Sequence, residues 1–312
     1  MTSAISVPYI ANTVLMIEPA FFGYNTQTAA NNYFQQNDDN DLFQIQQQAL
    51  IEFRNMVTTL RNAGVRVIVV KDTPYPRTPD AVFPNNWISF HLNNHVIFYP
   101  IYAENRRLER RMDILIEIEN QLGKKFDYTD YSNFEQKNYF LEGTGSIVPD
   151  RKNRIAYACI SPRTNKELFV KFCREIDFKP VYFYAYQTVG KESLPIYHTN
   201  VMMCMGNKYA VVALEAISNR NERKKIEDEL TDSGKEIVEI SASQMNRFCG
   251  NMLLLKSGSD EKVLVMSQSA YSAFDETQIS TLTKYNKPVV IPVPTIEKYG
   301  GGSVRCMMAE IF

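Results

Sequence analysis

Four segments of this chain are variants of one pattern, and a recurring pattern constrains a fold more than any single motif does. Each opens on a small or polar residue, runs through a short apolar strand, turns at Gly, Asn or Asp, and returns as a second strand. Residues 86–90 are followed by Asn93-Asn94 and 95–99; 143–148 by 150–153 and 154–158; 200–205 by Gly206-Asn207 and 209–212; 251–255 by 257–260 and 262–266. A fifth opening at Ser303 starts residues 304–312, with no returning strand after it. Residues 13–17 are its expected partner. The openings at 86, 143, 200, 251 and 303 are 51 to 57 residues apart. Between the hairpins, apolar spacing predicts helices over 43–63, 106–122, 164–176, 221–230 and 276–285, with strands at 65–70, 180–184, 236–240 and 288–291. Five such units closed by the two chain ends predict an α/β fold, a five-bladed α/β propeller. A linear solenoid is disfavoured, because neither end supplies a polar cap. No Gly/Ser or Pro linker divides the chain, so residues 1–312 are read as one catalytic domain.

Composition narrows the function classes. Lys plus Arg is 34 and Asp plus Glu is 35, a net charge of -1, so there is no general electrostatic pull toward nucleic acid or an anionic membrane. No run approaches the ~18 apolar residues of a membrane span, and the N-terminal segment lacks the pattern of a secretory signal. The five cysteines, at 159, 173, 204, 249 and 306, are widely spaced with no C-x-x-C. That argues for free thiols in a reducing cytoplasm and against a zinc site. With three histidines in the chain, no metal and no cofactor are expected.

In a ring of repeats, equivalent openings face one axis. Four of them carry chemically capable residues: Phe83-Pro84-Asn85-Asn86, Leu141-Glu142-Gly143, Tyr197-His198-Thr199-Asn200, and Gly300-Gly301-Gly302-Ser303 running on to Cys306. A thiol, an imidazole and a carboxylate converging this way form a nucleophilic constellation: the thiolate attacks, the imidazole moves protons, the carboxylate orients its partner. Isolated cysteines are usually small buried hydrophobes, which is the reading for Cys159, Cys173, Cys204 and Cys249. Cys306 differs because three glycines lie just upstream and let the backbone approach a ligand or move as a gate. His91 and His95 fall within the first hairpin and are read as structural.

At these residues the chain resembles the guanidino-group modifying enzymes: arginine deiminases, dimethylarginine dimethylaminohydrolases and amidinotransferases, the pentein fold. The matching stretches are Pro79-Asp80-Ala81-Val82-Phe83, Leu141-Glu142-Gly143, Ser161-Pro162-Arg163-Thr164-Asn165, His198 in its hairpin and the Cys near the C-terminus. The dimethylarginine hydrolase branch is the most similar. The resemblance implies Cys306 as nucleophile, His198 as general acid/base and Glu142 as the third member. It implies that Asp80, Arg106 and Arg163 contact the amino-acid end of a substrate, with Arg107 as the alternative to Arg106. It also matches Phe21-Phe22-Gly23 to a substrate lid, with Phe22 against substrate; the same segment also reads as an exposed loop with aromatic packing.

One departure bears on substrate. Arginine-processing members place carboxylates where this chain has Asn86 and Asn200. Guanidinium is a cation with donors and no acceptor, so it favours carboxylates; an amide both donates and accepts, and suits a neutral ureido group. The expected function is therefore a cytoplasmic cysteine hydrolase of the C–N bond of a guanidino or ureido group. Its substrate is an arginine- or citrulline-like amino acid, the neutral citrulline type favoured, with Asp80, Asn85, Asn86, Asn200, Arg106, Arg163 and Phe22 around it. Glu142 alone as a counter-ion for guanidinium is the alternative on substrate. Amidinotransferase chemistry and a non-catalytic ribosome-binding factor of the same fold are the alternatives on function. A homodimer is allowed.

Overall fold

A computed structural model describes residues 9–38 and 40–312. The strands are β1 (Thr13–Glu18), β2 (Arg66–Lys71), β3 (Ile88–His91), β4 (His95–Phe98), β5 (Asp127–Asp130), β6 (Val148–Asp150), β7 (Ile155–Cys159), β8 (Lys179–Phe183), β9 (Tyr186–Val189), β10 (Glu192–Pro195), β11 (Met203–Met205), β12 (Tyr209–Val212), β13 (Glu236–Glu239), β14 (Leu253–Lys256), β15 (Lys262–Ser267), β16 (Lys287–Ile291) and β17 (Ala309–Ile311). Apart from the β9–β10 hairpin they form five three-stranded sheets: β17-β1-β2, β3-β4-β5, β6-β7-β8, β11-β12-β13 and β14-β15-β16. In each, the first pair is antiparallel and the second parallel. A parallel neighbour needs a crossover, and in every unit it contains one helix of ten residues or more. These helices are Leu42–Asn62, Met112–Leu122, Lys166–Glu175, Arg220–Asp232 and Glu276–Tyr285.

The first and last strands share one sheet, as the unpaired fifth opening predicts. Thr13 pairs with Ile311, Val14 with Glu310 and Leu15 with Ala309. The apolar clusters join neighbouring units. Val14 and Met16 pack with Leu253 and Val265, Leu15 and Ile17 with Ile88 and Phe90, Ile97 with Ala156 and Phe169, and Tyr157 with Met203 and Val211. The inner strands β17 and β3, β6 and β11, and β11 and β14 touch.

Two expectations needed adjustment. The opening residues lie in tight turns rather than in strands: Pro84–Asn86 and Thr199–Val201 are 3-10 turns, and Gly143–Ser146 is one helical turn. The predicted helix over 106–122 breaks into Glu104–Arg107 and Met112–Leu122, because Arg106 turns inward into a buried network described below. In Leu42–Asn62 the side chains of Phe43 and Ile51 face outward, while Ile45, Ala49, Phe53, Met56 and Leu60 face the sheets. Asp41 caps that helix by accepting from the Phe43 N–H.

Candidate active site

The turn after Glu142 brings three openings together. Gly143 has φ 47 and lies so close to Asn85 that a Cβ would collide with the Asn85 carbonyl. At Gly145 a Cβ would overlap the Asn86 amide and come within 2.8 Å of His198 Nδ1. Glycine at these two positions is what lets Asn86, Glu142 and His198 share one space.

Glu142 is fully buried. Its Oε2 meets His198 Nε2 at 2.7 Å and Arg163 Nη1 at 3.4 Å, and its Oε1 accepts from the Tyr102 N–H at 2.9 Å. Burial alone would raise this carboxyl, but the Arg163 guanidinium, the bond from His198 and the Arg106 charge outweigh it and hold it down to about 2. Burial pushes the His198 imidazole down to about 4 despite Glu142. At neutral pH the pair is therefore a carboxylate and a neutral imidazole. Nε2 carries the hydrogen shared with Glu142, and Nδ1 is the acceptor nitrogen, free to take a proton.

Cys306 Sγ receives the amide groups of Asn200 at 3.4 Å and Asn251 at 3.2 Å. The other four thiols are buried, and burial pushes each of them up to about 12. The glycine run upstream is covered: Asn32 Nδ2 donates to the Gly300 and Gly301 carbonyls, and the Tyr197 hydroxyl donates to Gly301 O at 2.9 Å. Phe22 lies fully buried beneath Gly300 in the same apolar cluster as Phe83 and Cys306. Its neighbour Phe21 is half-buried beside the Arg77 guanidinium, so this segment packs rather than standing exposed.

Asp80, Arg106, Asn86 and Arg163 form a second buried layer. Asp80 Oδ2 accepts from Asn25 Nδ2 at 2.8 Å and Thr28 Oγ1 at 3.1 Å, while its Oδ1 has no partner among the described residues. Burial raises this carboxyl above the ordinary range although Arg106 stands 3.7 Å away. Arg106 gives Nε and Nη2 to Glu109, Nη2 also to the Asp80 and Phe83 carbonyls, and Nη1 to Asn86 Oδ1 at 2.7 Å. Arg163 donates to Asn31 Oδ1, the Thr28 carbonyl and Glu142, and its guanidinium lies 4.9 Å from the Tyr197 ring centre. Both guanidiniums are thus engaged by acceptors of the protein itself. Arg107 bonds outside this layer, to the Ile101 and Tyr102 carbonyls.

The Arg106 bond decides how Asn86 presents itself. With Oδ1 taken, the amide nitrogen is the free end, and Asn86 Nδ2 is buried without a partner among the described residues. Asn200 is the mirror case: Nδ2 goes to Cys306 and Oδ1 is left without one. Both side-chain polar atoms of Asn85 are also buried and unpartnered. Buried polar groups without partners are rare and call for a ligand or water.

Sequence reasoning missed Asn25, Thr28, Asn31 and Asn32, which lie in a segment without periodicity. It also missed Asn251, although Asn251 opens the fourth hairpin and the repeat register pointed to it. Among the described residues there is no cluster of three or more His, Cys, Asp or Glu that could hold a metal, and no helix is long and apolar enough to cross a membrane.

The family model described as N,N dimethylarginine dimethylhydrolase, eukaryotic, matches residues 18–312. Among solved structures, the chain is similar to the N-terminal domain of ArgZ covalently bound to a reaction intermediate, at 17% identity over 96% of this chain and 97% of that one, TM-score 0.71. It is similar to whole ArgZ, an arginine dihydrolase from Cyanobacteria, at 18% identity over 96% of this chain but 40% of that one, TM-score 0.72. It is also similar to a cysteine-to-serine mutant of DDAH from Pseudomonas aeruginosa complexed with citrulline, at 14% identity over 97% of this chain and 100% of that one, TM-score 0.63. None of the curated proteins matches. At these identities the structural likeness is one of fold.

Proposed function

The chain belongs to the eukaryotic N,N-dimethylarginine dimethylhydrolase family, hydrolases that act on C–N bonds of guanidino compounds, and we propose that this member cleaves such a bond at the neutral ureido carbon of a citrulline-like amino acid. The Cys306 thiol passes its proton to His198 Nδ1, and the resulting thiolate attacks the ureido carbon and forms a C–S bond. The C–N bond breaks, and the departing nitrogen takes a proton from His198. A water then gives a proton back to His198 and adds its oxygen to the adduct. The C–S bond breaks and the thiolate is restored. Glu142 holds His198 in the tautomer that leaves Nδ1 as the working nitrogen. A covalent intermediate is what the ArgZ domain carries.

The observation that carries the neutral substrate is the direction of the Asn86 amide. Arg106 occupies its oxygen, so the site meets the substrate with an N–H donor. A ureido oxygen accepts from that donor and gathers charge there as the thiolate attacks. A guanidinium has no acceptor and would leave the donor facing donors. Asn200 Oδ1 is the complementary acceptor for a ureido N–H. Asp80 Oδ1, bare and buried, is completed by a cation such as the α-ammonium of the amino acid. Arg106 and Arg163 act by holding Asn86 and Glu142 in place. Asn85, its side-chain polar atoms buried without a partner among the described residues, is a further candidate for substrate contact, and Phe22 packs against Gly300 beside the Cys306 segment.

The five units are read as blades around one axis, in one domain closed through β1 and β17. The way the apolar clusters join neighbouring units supports this arrangement.

The test is kcat/KM for citrulline against arginine and dimethylarginine, with products identified as ammonia, alkylamine or ornithine. Citrulline turned over at least about tenfold better than arginine is the expected result. Faster turnover of arginine overturns the neutral-substrate reading.

A further inference from the structure

We propose that Asn251 is a catalytic residue: its amide, paired with that of Asn200, aims Cys306 Sγ and holds its negative charge with neutral donors. This rests on the reading of Cys306 as nucleophile and deepens the case for a neutral substrate.

The orientation of Asn251 follows from its bonds. Its Oδ1 accepts from the Arg305 backbone N–H at 3.2 Å, which fixes the nitrogen on the other side. Nδ2 then meets two acceptors, the Asn200 carbonyl at 3.1 Å and Cys306 Sγ at 3.2 Å, and both amide hydrogens are used. The backbone around it is equally constrained. Its N–H donates to the Phe248 carbonyl at 2.8 Å, and at Gly250 a Cβ would collide with the Val201 carbonyl. One side chain thus ties the third, fourth and fifth openings together, through Asn200, Asn251 itself, and Arg305 with Cys306. Such a clamp tolerates little drift of Sγ, and a misplacement of one ångström can cost a hundredfold in rate.

The chemistry of the partners is specific to a thiolate. A thiol is a weak acceptor and gains little from two N–H groups, whereas a charged sulfur gains roughly twice what a neutral acceptor does. Among the described residues the hydrogen bonds to Sγ come from amides alone, and no ammonium or guanidinium is among them. A guanidinium substrate would bring a positive charge to the sulfur by itself. A ureido substrate brings none, so the protein must supply the stabilisation beforehand, and the Asn200–Asn251 pair is placed to do so.

Asn251→Asp separates this role from a structural one. Aspartate keeps the shape and the oxygen that accepts from Arg305, but it replaces the N–H facing sulfur with a charged oxygen. The readout is the rate at which iodoacetamide alkylates Cys306 at pH 7 without substrate, located by peptide mass spectrometry, alongside kcat and KM. Alkylation and kcat should both fall about 10-fold in Asn251→Ala, from the loss of one hydrogen bond to a charged group, and about 100-fold in Asn251→Asp, with KM within threefold. Wild-type alkylation in Asn251→Asp, or a larger loss in Asn251→Ala than in Asn251→Asp, overturns the proposal. If the aspartate variant does not fold, Asn251→Ala decides it: an alkylation rate within about fivefold of wild type overturns it, and a larger fall supports it. Because no substrate enters the alkylation, failure of citrulline as substrate leaves this result standing by itself.

Discussion

Asp150, at the end of β6, pairs with Lys235 at 2.9 Å, and Arg305 pairs with Glu310 of β17 at 2.8 Å. These four side chains line one cavity with the ends of β6 and β11. At the opposite ends of the same first strands lie Asn86, Glu142, His198 and Asn200. Charges in the first group are matched mainly to one another; Arg151 Nε, left without a hydrogen bond among the described residues, still has Glu310 3.7 Å away. In and beside the second group, Asn86 Nδ2, Asn200 Oδ1 and Asp80 Oδ1 are buried without a hydrogen-bond partner among the described residues. Burial of an ion pair closed on itself is a structural feature, while a buried donor or acceptor left open is a place for another molecule. Residues 305 and 306 fall on opposite sides of this divide although they are adjacent in the chain: the guanidinium turns to the closed end and the thiol to the open one.

The largest expected break in this contrast comes at the sulfur. Cys306→Ser should lower kcat by at least about 10^4-fold with an unchanged circular dichroism spectrum, since serine beside a neutral imidazole is a far weaker nucleophile. Cys159→Ser and Cys173→Ser should keep near-wild-type turnover; equal losses in all three would erase the distinction among thiols.

At the closed end the effect should appear in stability instead. Lys235→Met leaves Asp150 buried without its cation, at a cost of about 3–5 kcal/mol by denaturant unfolding, with kcat of the folded protein within about twofold. A normal unfolding midpoint with impaired kcat would reverse the assignment of the two ends.

The pH dependence of stability isolates His198. Its folded value is down at about 4 against an ordinary 6.5. Between these values the unfolded chain binds a proton that the folded chain refuses, so stability falls as pH drops from 6.5 to 4. The share from His198 is about 3 kcal/mol. Wild type should lose that much more than His198→Gln over this window, by urea unfolding at several pH values. Parallel curves would mean that the imidazole is not buried as a neutral base.

The smallest effect concerns preference. Asn86→Asp with Asn200→Asp should shift the ratio of kcat/KM for arginine over citrulline upward by about 10- to 100-fold, since each carboxylate adds a charge-assisted bond to guanidinium and repels a ureido oxygen. No shift would mean that these asparagines do not read the substrate's charge.

Much of this was legible in the chain itself. Strand alternation and turn residues are local, so the hairpins at 86, 143, 200 and 251 and the last strand's pairing with the first could be read from spacing. That register also singled out Glu142, His198 and Cys306. It pointed equally to Asn251, which was passed over because an isolated asparagine carries no chemistry that spacing can reveal. The β9–β10 hairpin was missed because it is an addition to the unit rather than part of the period.

What the sequence determined by itself is which residues stand at the openings, because the repeat of strands and turns depends on neighbours a few positions away. Only the tertiary structure decided which atom each of them offers. Whether Asn86 presents oxygen or nitrogen is set by Arg106, whose inward turn also interrupts the helix that the apolar spacing predicts. Whether Phe22 is a lid or a core residue is set by its packing under Gly300, far away in the chain. A side chain's direction belongs to its partners, and here those partners come from other units of the fold.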